Sequence, residues 1–96
     1  AFERAKELDA LPPTSRKGCL FGVPISLKDS IDVKGVPSSV GVFKWMHEKR
    51  PENCKIVENL LKEGAIPFCK TNVPQTMLSF DCSNPLWGRT ENPMVK

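Results

Sequence analysis

The stretch that constrains this chain most is residues 22–32, GVPISLKDSID, in which a short apolar run leads directly into Lys28. Ile25 and Leu27 alternate with polar or small neighbours, a pattern that predicts a strand packed against a core. Pro24 stands near the start of the run, where a missing backbone N–H does least harm to a sheet. The pattern therefore places Lys28 at the carboxyl end of a strand.

Taken from the residues alone, Lys28 has two interpretations. Lysine is almost never fully buried unless it is paired, so its ammonium can form a structural ion pair with Asp29 or Asp32 at the strand end. A lysine that is partly neutral can instead act as a general base toward a serine hydroxyl. The local sequence is compatible with both roles, and both stay open at this point.

The spacing of apolar residues, together with cap and breaker residues, predicts the other elements. A strand, a helix and a second strand follow in order, which predicts an α/β unit with a crossover connection. Gly64 stands where a glycine after a helix end is expected. The predicted elements are helices at 1–10, 54–63 and 74–80, a strand at 65–70, a turn or short hairpin around Lys34-Gly35, and a loop at 82–96.

The charge balance argues against a nucleic-acid partner. The 96 residues, enough for one small domain, carry 14 basic and 11 acidic side chains, a net charge of +3. One basic cluster exists, but Glu48 and Glu52 dilute it and aromatic residues are not spaced for base stacking. A non-catalytic binding module using this cluster remains an alternative. The cluster consists of Lys44, His47, Lys49 and Arg50.

The four cysteines and the single histidine predict no metal site, because no C-x-x-C pair is present. The wide, irregular cysteine spacing also argues against a disulfide framework and favours buried free thiols in a reducing compartment. The nucleophile elbow G-x-S-x-G and the phosphate-binding glycine loops are absent. No serine has an evident base beside it in sequence, so none is assigned as a nucleophile. The serines considered as candidate nucleophiles are Ser30, Ser38, Ser39, Ser79 and Ser83.

Three motifs in order resemble the amidase signature family over nearly the whole chain: GVPISLKD with DVKG, LKEGA leading to KTN, and NPLWGRTENP. The resemblance implies an α/β fold, with this chain forming part of a mixed twisted sheet flanked by helices. It also implies that residues 1–96 are a partial amidase domain that stops before the family's Gly/Ser-rich signature.

The resemblance further implies a Ser-Ser-Lys triad in which Lys28 is the base. The two serines and the oxyanion-hole donors belong to the family's later signature region. The expected chemistry is attack on an amide or ester carbonyl, an acyl-enzyme and its hydrolysis, without cofactor or metal. We therefore expect the 96-residue chain alone to be inactive.

Within the family, residues 72–84 (NVPQTMLSFDCSN) are most similar to the fatty acid amide hydrolase branch. General amidases and the amidotransferase subunits that act on charged tRNA tend to carry an acidic residue where Gln75 stands, and they are the alternative. The resemblance implies a fatty acid amide or another small amide as substrate. It is compatible with a homodimer and with an intracellular location on internal membranes, attached through parts outside this chain. The residues expected to contact the acyl chain, with core packing as the alternative role, are Met77, Leu78, Ser79 and Phe80.

Overall fold

A parallel pair of strands forms the centre of the computed structural model, which describes residues 1–94. Strand β1 (Pro24–Lys28) runs beside β2 (Ile66–Thr71), with Pro24 opposite Ile66 and Lys28 opposite Thr71. The register shifts between Ile25 and Ser26, so β2 contains one extra residue. The α/β class predicted from the sequence is confirmed.

Helix α2 (Lys55–Lys62) makes the connection from β1 back to β2. Its apolar face packs inward through Val57, which is fully buried. Gly64 follows the helix with a φ of 85°, and a Cβ there would lie 2.8 Å from the Phe21 Cα. The glycine is therefore required both by the left-handed backbone and by the close approach of the chain before β1.

Helix α1 (Phe2–Asp9) covers the same side of the molecule and confirms the predicted N-terminal helix. Its Leu8 is buried, and its Arg4 donates a hydrogen bond from Nη2 to the Leu61 carbonyl at 2.9 Å. None of the helices formed by residues 1–94 is long and apolar enough to cross a membrane. The buried apolar residues are Leu8, Leu27, Val57, Ala65 and Val73.

Two predicted elements differ from the observed ones near the C-terminal end of the described chain. The helix predicted at 74–80 is only a 3₁₀ turn, Gln75–Met77, because Thr76 and Met77 have left-handed φ angles of 54° and 60°. The loop predicted at 82–96 contains a short antiparallel hairpin, β3 (Ser83–Asn84) and β4 (Gly88–Arg89). Residues 95 and 96 of that loop lie outside the described residues.

The segment between β1 and α2 is mostly irregular. The predicted turn around Lys34-Gly35 is present, because the Val36 N–H donates to the Val33 carbonyl at 3.0 Å and Gly35 has a φ of 78°. The hairpin alternative is wrong for the described residues, since Lys34 and Pro37 form isolated bridges with Arg50 and Lys49, respectively. The prediction that the cysteines are buried was wrong, because Cys19, Cys69 and Cys82 are exposed and Cys54 is half-buried.

Candidate active site

Lys28 is the last residue of β1, and its side chain is exposed. The carbonyl of its neighbour across the sheet, Thr71, accepts a hydrogen bond from the Asp29 N–H at 3.0 Å. The Lys28 carbonyl accepts from the Ile31 N–H at 2.9 Å, which closes a turn directly after the strand. The backbone of Lys28 is thus fixed on both sides while its ammonium faces open space.

Both aspartates that could pair with Lys28 are engaged elsewhere. Asp32 forms an ion pair with Arg50, whose Nε lies 3.0 Å from Asp32 Oδ1. Asp29 is directed into the interior, away from the exposed lysine. Within residues 1–94, Lys28 takes part in no ion pair and no side-chain hydrogen bond. The structural ion pair is therefore not formed by this part of the chain.

The carboxylate of Asp29 is the centre of a buried polar cluster. Its Oδ2 accepts hydrogen bonds from Ser39 Oγ at 2.9 Å and from the Val40 N–H at 2.6 Å. Its Oδ1 lies 3.8 Å from Lys70 Nζ. Ser39 Oγ in turn accepts from Trp87 Nε1 at 2.9 Å. We call Asp29, Ser39, Val40 and Lys70 the strand-end cluster.

Lys70 and Ser38 have the appearance of a Ser-Lys catalytic pair but not its properties. Lys70 Nζ donates to Ser38 Oγ at 3.1 Å, whereas a base must accept the proton of its nucleophile. Ser38 is 1% exposed, so no substrate carbonyl reaches its hydroxyl. Burial lowers the pKa of Lys70, and the nearby carboxylates of Asp29 and Asp32 partly oppose that shift. The pair is structural.

A tight turn connects the strand-end cluster to the next part of the site. The Val42 N–H donates to the Ser39 carbonyl at 2.8 Å, and the central residues Val40 and Gly41 have φ angles of 49° and 70°. Positive φ at both central positions is the geometry of a type I′ turn, which glycine and asparagine tolerate and a β-branched residue does not. Val40 is therefore held in a strained conformation.

The residues expected to bind an acyl chain lie on the surface of the described chain. Met77, Leu78 and Phe80 are 45%, 89% and 113% exposed, and Ser79 is exposed too. Within residues 1–94 these side chains therefore do not pack in a core. We call residues 77–80 the apolar loop. It presents three large apolar side chains to its surroundings.

Two asparagines hold the ends of the apolar loop together. Asn84 Nδ2 donates to Asn72 Oδ1 at 2.6 Å and to the Val73 carbonyl at 2.8 Å. Asn84 Oδ1 accepts from the N–H groups of Leu86 and Trp87 at 3.0 and 2.7 Å. Because Asn84 is only 6% exposed, these four bonds replace contacts with water.

Gly41 brings the turn and the base of the apolar loop into contact. A Cβ on Gly41 would lie 2.7 Å from the Asn84 Cβ and 3.1 Å from the Gln75 Cα. The Thr76 N–H donates to the Val40 carbonyl at 2.9 Å. A continuous set of hydrogen bonds thus runs from Asp29 through the backbone of Val40 to Thr76, the residue before the apolar loop.

A cavity of about 460 Å³ lies beside the strand-end cluster, with Asp29, Ser39 and Lys70 on its polar side and Met46 and Trp87 on its apolar side. Neither Lys28 nor the apolar loop lines this cavity. The structure therefore does not bring the predicted base and the predicted acyl-chain residues into one enclosed space within residues 1–94.

The basic cluster on which the binding-module alternative depends is smaller in the structure than in the sequence, because Arg50 is not freely exposed. Arg50 is half-buried, ion-paired with Asp32, and donates from Nη2 to the Ser38 carbonyl at 3.4 Å. Lys44, His47 and Lys49 remain exposed. Within residues 1–94, no three His, Cys, Asp or Glu side chains are grouped closely enough to hold a metal ion.

Sequence reasoning missed the strand-end cluster. The sequence pattern names Ser38 and Ser39 only as unassigned candidate nucleophiles, and it places Lys70 only at the end of a strand. The available signal was an aspartate directly after a strand, followed about ten residues later by the run Ser-Ser-Val-Gly. Such short polar side chains favour local hydrogen bonds to a turn, but their partner across 10 residues is visible only in the fold.

Comparison with known proteins places this geometry in a family. The Amidase family model matches residues 1–96. The vitamin D3 hydroxylase-associated protein of Gallus gallus is 47% identical over 88 residues, which cover 92% of this chain and 19% of that protein. Fatty acid amide hydrolase 1 of Caenorhabditis elegans is 47% identical over 95 residues, which cover 97% of this chain and 17% of that protein.

A solved structure agrees with these relatives. The crystal structure of an amidase family protein from Bacillus anthracis str. Ames matches with a TM-score of 0.81 and 28% identity, over 95% of this chain and 19% of the other. The chain thus spans about a fifth of the length of the proteins that it matches. The family model covers the strand that ends in Lys28, the strand-end cluster and the apolar loop alike, and the chain belongs to the Amidase family.

Proposed function

We propose that this chain contributes the base and part of the acyl-chain wall to an amide hydrolase of the fatty acid amide hydrolase type. The observation that carries the proposal is Lys28, a lysine at the end of a central strand with a fixed backbone and an ammonium that the neighbouring aspartates leave unpaired within residues 1–94. A lysine kept for chemistry needs this arrangement, since an ion pair would hold its proton in place.

In this proposal Lys28 accepts the proton of a bridging serine, which in turn accepts the proton of the nucleophilic serine. The nucleophile attacks the amide carbonyl, the amine leaves with a proton returned along the same path, and water then releases the acid. Neither serine is taken from this chain, because no serine hydroxyl within residues 1–94 is hydrogen-bonded to Lys28. The 96-residue chain alone is therefore inactive under this proposal.

The apolar loop supports a lipid rather than a small amide as substrate. The loop exposes the side chains of Met77, Leu78 and Phe80 together. Removal of such an apolar surface from water by an acyl chain is favourable, so it contributes to the free energy of binding. Two of the relatives agree in part: one carries the name fatty acid amide hydrolase 1, and the bacterial structure is described only as an amidase family protein. A general amidase remains the competing function.

The test uses the complete protein that contains this chain, purified and assayed on a long-chain fatty acid amide and on a short-chain amide. We expect turnover of both, with the higher kcat/KM for the long-chain amide. Lys28→Ala should lower kcat by about 10³-fold on either substrate without a change in melting temperature.

Lys62→Ala, an exposed lysine on α2, is the matched control and should leave kcat unchanged. A preference for the short amide would assign the general amidase function instead. Wild-type activity in Lys28→Ala, or loss of the fold together with the activity, would contradict the proposed base.

A further inference from the structure

Asp29 follows Lys28 directly, yet its side chain serves a different part of the molecule. It is 9% exposed and accepts hydrogen bonds from Ser39 Oγ and from the Val40 N–H. A carboxylate buried this deeply is costly unless donors satisfy it, and here two donors come from one turn. Any displacement of that turn therefore displaces the residue next to Lys28.

The backbone of Val40 is hydrogen-bonded through both of its polar groups. Its N–H donates to Asp29, while its carbonyl accepts from the Thr76 N–H. Val40 keeps a left-handed φ of 49° although valine disfavours it. Strained backbone of this kind persists where the surrounding contacts fix it, and it is concentrated at functional sites. The strained Val40 thus connects Asp29, the residue after Lys28, with Thr76, the residue before the apolar loop.

We propose that Asp29 is a positioning residue which, through Ser39 and the backbone of Val40, holds Lys28 at a fixed place relative to the apolar loop. The inference rests on the proposed function, because positioning matters only if Lys28 is the base. The Asp29 carboxylate is hydrogen-bonded within the strand-end cluster and is directed away from the exposed Lys28 ammonium. It acts by holding the backbone at Lys28, and a small misplacement of a base is enough to slow a proton transfer strongly.

The experiment measures kcat and KM of the complete enzyme for a long-chain and a short-chain amide. Asp29→Ala removes both acceptor contacts together with the ion pair to Lys70, and kcat should fall about 10²-fold on both amides while KM changes less than about 2-fold. Asp29→Asn keeps an oxygen that accepts from the Val40 N–H, so it should recover kcat to within about 10-fold of wild type. Glu58→Ala, an acidic residue on α2, is the control and should leave kcat unchanged.

A second variant keeps the test decisive if Asp29→Ala does not fold. Ser39→Ala removes one of the two donors to Asp29 and should lower kcat about 10-fold. Where both single variants fold, adding Ser39→Ala to Asp29→Ala should lower kcat no further, because the two side chains act through the same contact. Wild-type kcat in Ser39→Ala would overturn the inference.

Three other results would overturn it as well. Asp29→Asn as slow as Asp29→Ala would mean that charge, not placement, matters. A loss confined to the long-chain amide would mean that Asp29 serves only the apolar loop. Normal kcat per active site in Asp29→Ala, counted by a covalent active-site label, would mean that the residue affects stability alone. The proposed function fails separately, if the wild type is inactive on both amides or Lys28→Ala is fully active.

Discussion

The backbone of Val40 connects the strand-end cluster, to which it belongs, with the residue before the apolar loop, but cluster and loop are stabilised in different ways. In the cluster, Asp29 and Ser39 are 9% and 2% exposed, and their side-chain oxygens meet donors from the turn and from Trp87. In the apolar loop, Leu78 and Phe80 expose nearly their whole side chains. Local backbone bonds such as the one from the Met77 N–H to the Pro74 carbonyl shape the loop, and the hydrogen bond from Asn84 to Asn72 holds its ends together.

This difference separates the part of the site that this chain determines from the part that it leaves open. Buried hydrogen bonds with good partners fix side-chain positions, so the backbone around Lys28 is specified by contacts within residues 1–94. Exposed apolar side chains are not stabilised in one particular conformation until another surface buries them. Substitutions in the cluster should therefore change stability and kcat, and substitutions in the loop should change substrate binding.

The largest effect on stability is expected at the anchor of the loop. Asn84→Ala removes four hydrogen bonds from a residue that is 6% exposed. Asn72 Oδ1 keeps the bond that it accepts from the Val73 N–H, but the Val73 carbonyl and the N–H groups of Leu86 and Trp87 lose their Asn84 partner. The free energy of unfolding should fall by about 3 kcal/mol. Chemical unfolding of the complete protein measures it. Asn59→Ala, at an exposed position on α2, should change stability by less than about 0.5 kcal/mol, and equal effects of the two variants would show that the loop ends are not anchored.

The loop itself should show the opposite pattern. Phe80→Ala should raise KM for a long-chain amide about 10-fold and leave KM for a short amide unchanged, because one large apolar contact with the acyl chain is lost. Its stability should stay within about 0.5 kcal/mol of wild type. Phe43→Ala, a phenylalanine 73% exposed outside the loop, is the control. Loss of stability without a change in KM would remove the distinction between loop and cluster.

The sequence predicts the parts of this arrangement that depend on local pattern. Apolar alternation predicted β1, and the glycine after the helix predicted the end of α2, because both signals lie within a few residues. The left-handed Thr76 and Met77 were missed, since no glycine or asparagine marks that position. The family resemblance supplied the role of Lys28. The partners of Asp29 could not be predicted, because they come from a turn whose strained Val40 contradicts its local preference.

A smaller effect is expected where the cluster meets the hairpin segment. Trp87→Phe keeps most of the ring but removes the Nε1–H that donates to Ser39 Oγ at 2.9 Å. Because Ser39 retains its bond to Asp29, stability should fall by only about 1 kcal/mol. Trp45→Phe is the matched control, since no side-chain hydrogen bond within residues 1–94 involves Trp45. A fall as large as that of Asn84→Ala would place Trp87 among the anchors.

The smallest effect is the pH dependence that Lys70 adds to the cluster. Burial holds the pKa of Lys70 below its ordinary value of 10.5, against the opposing carboxylates of Asp29 and Asp32 and beside Arg50 and Cys54. Between the lowered pKa and 10.5, the unfolded chain binds more protons at this site than the folded one, so this contribution to stability rises with pH.

Urea unfolding of the complete protein at stepwise increasing pH tests this contribution against Lys70→Met, which has no proton to release. The two proteins can differ in free energy of unfolding at the starting pH. As pH rises between the lowered pKa of Lys70 and 10.5, the free energy of unfolding of wild type should increase relative to that of Lys70→Met. Lys62→Met, at an exposed lysine on α2, should follow the wild-type curve. Parallel curves for wild type and Lys70→Met would mean that the pKa of Lys70 is the same in the folded and the unfolded chain, so that the carboxylates offset burial completely. The contrast between a buried cluster and an open loop would then rest on Asp29 and Ser39 alone.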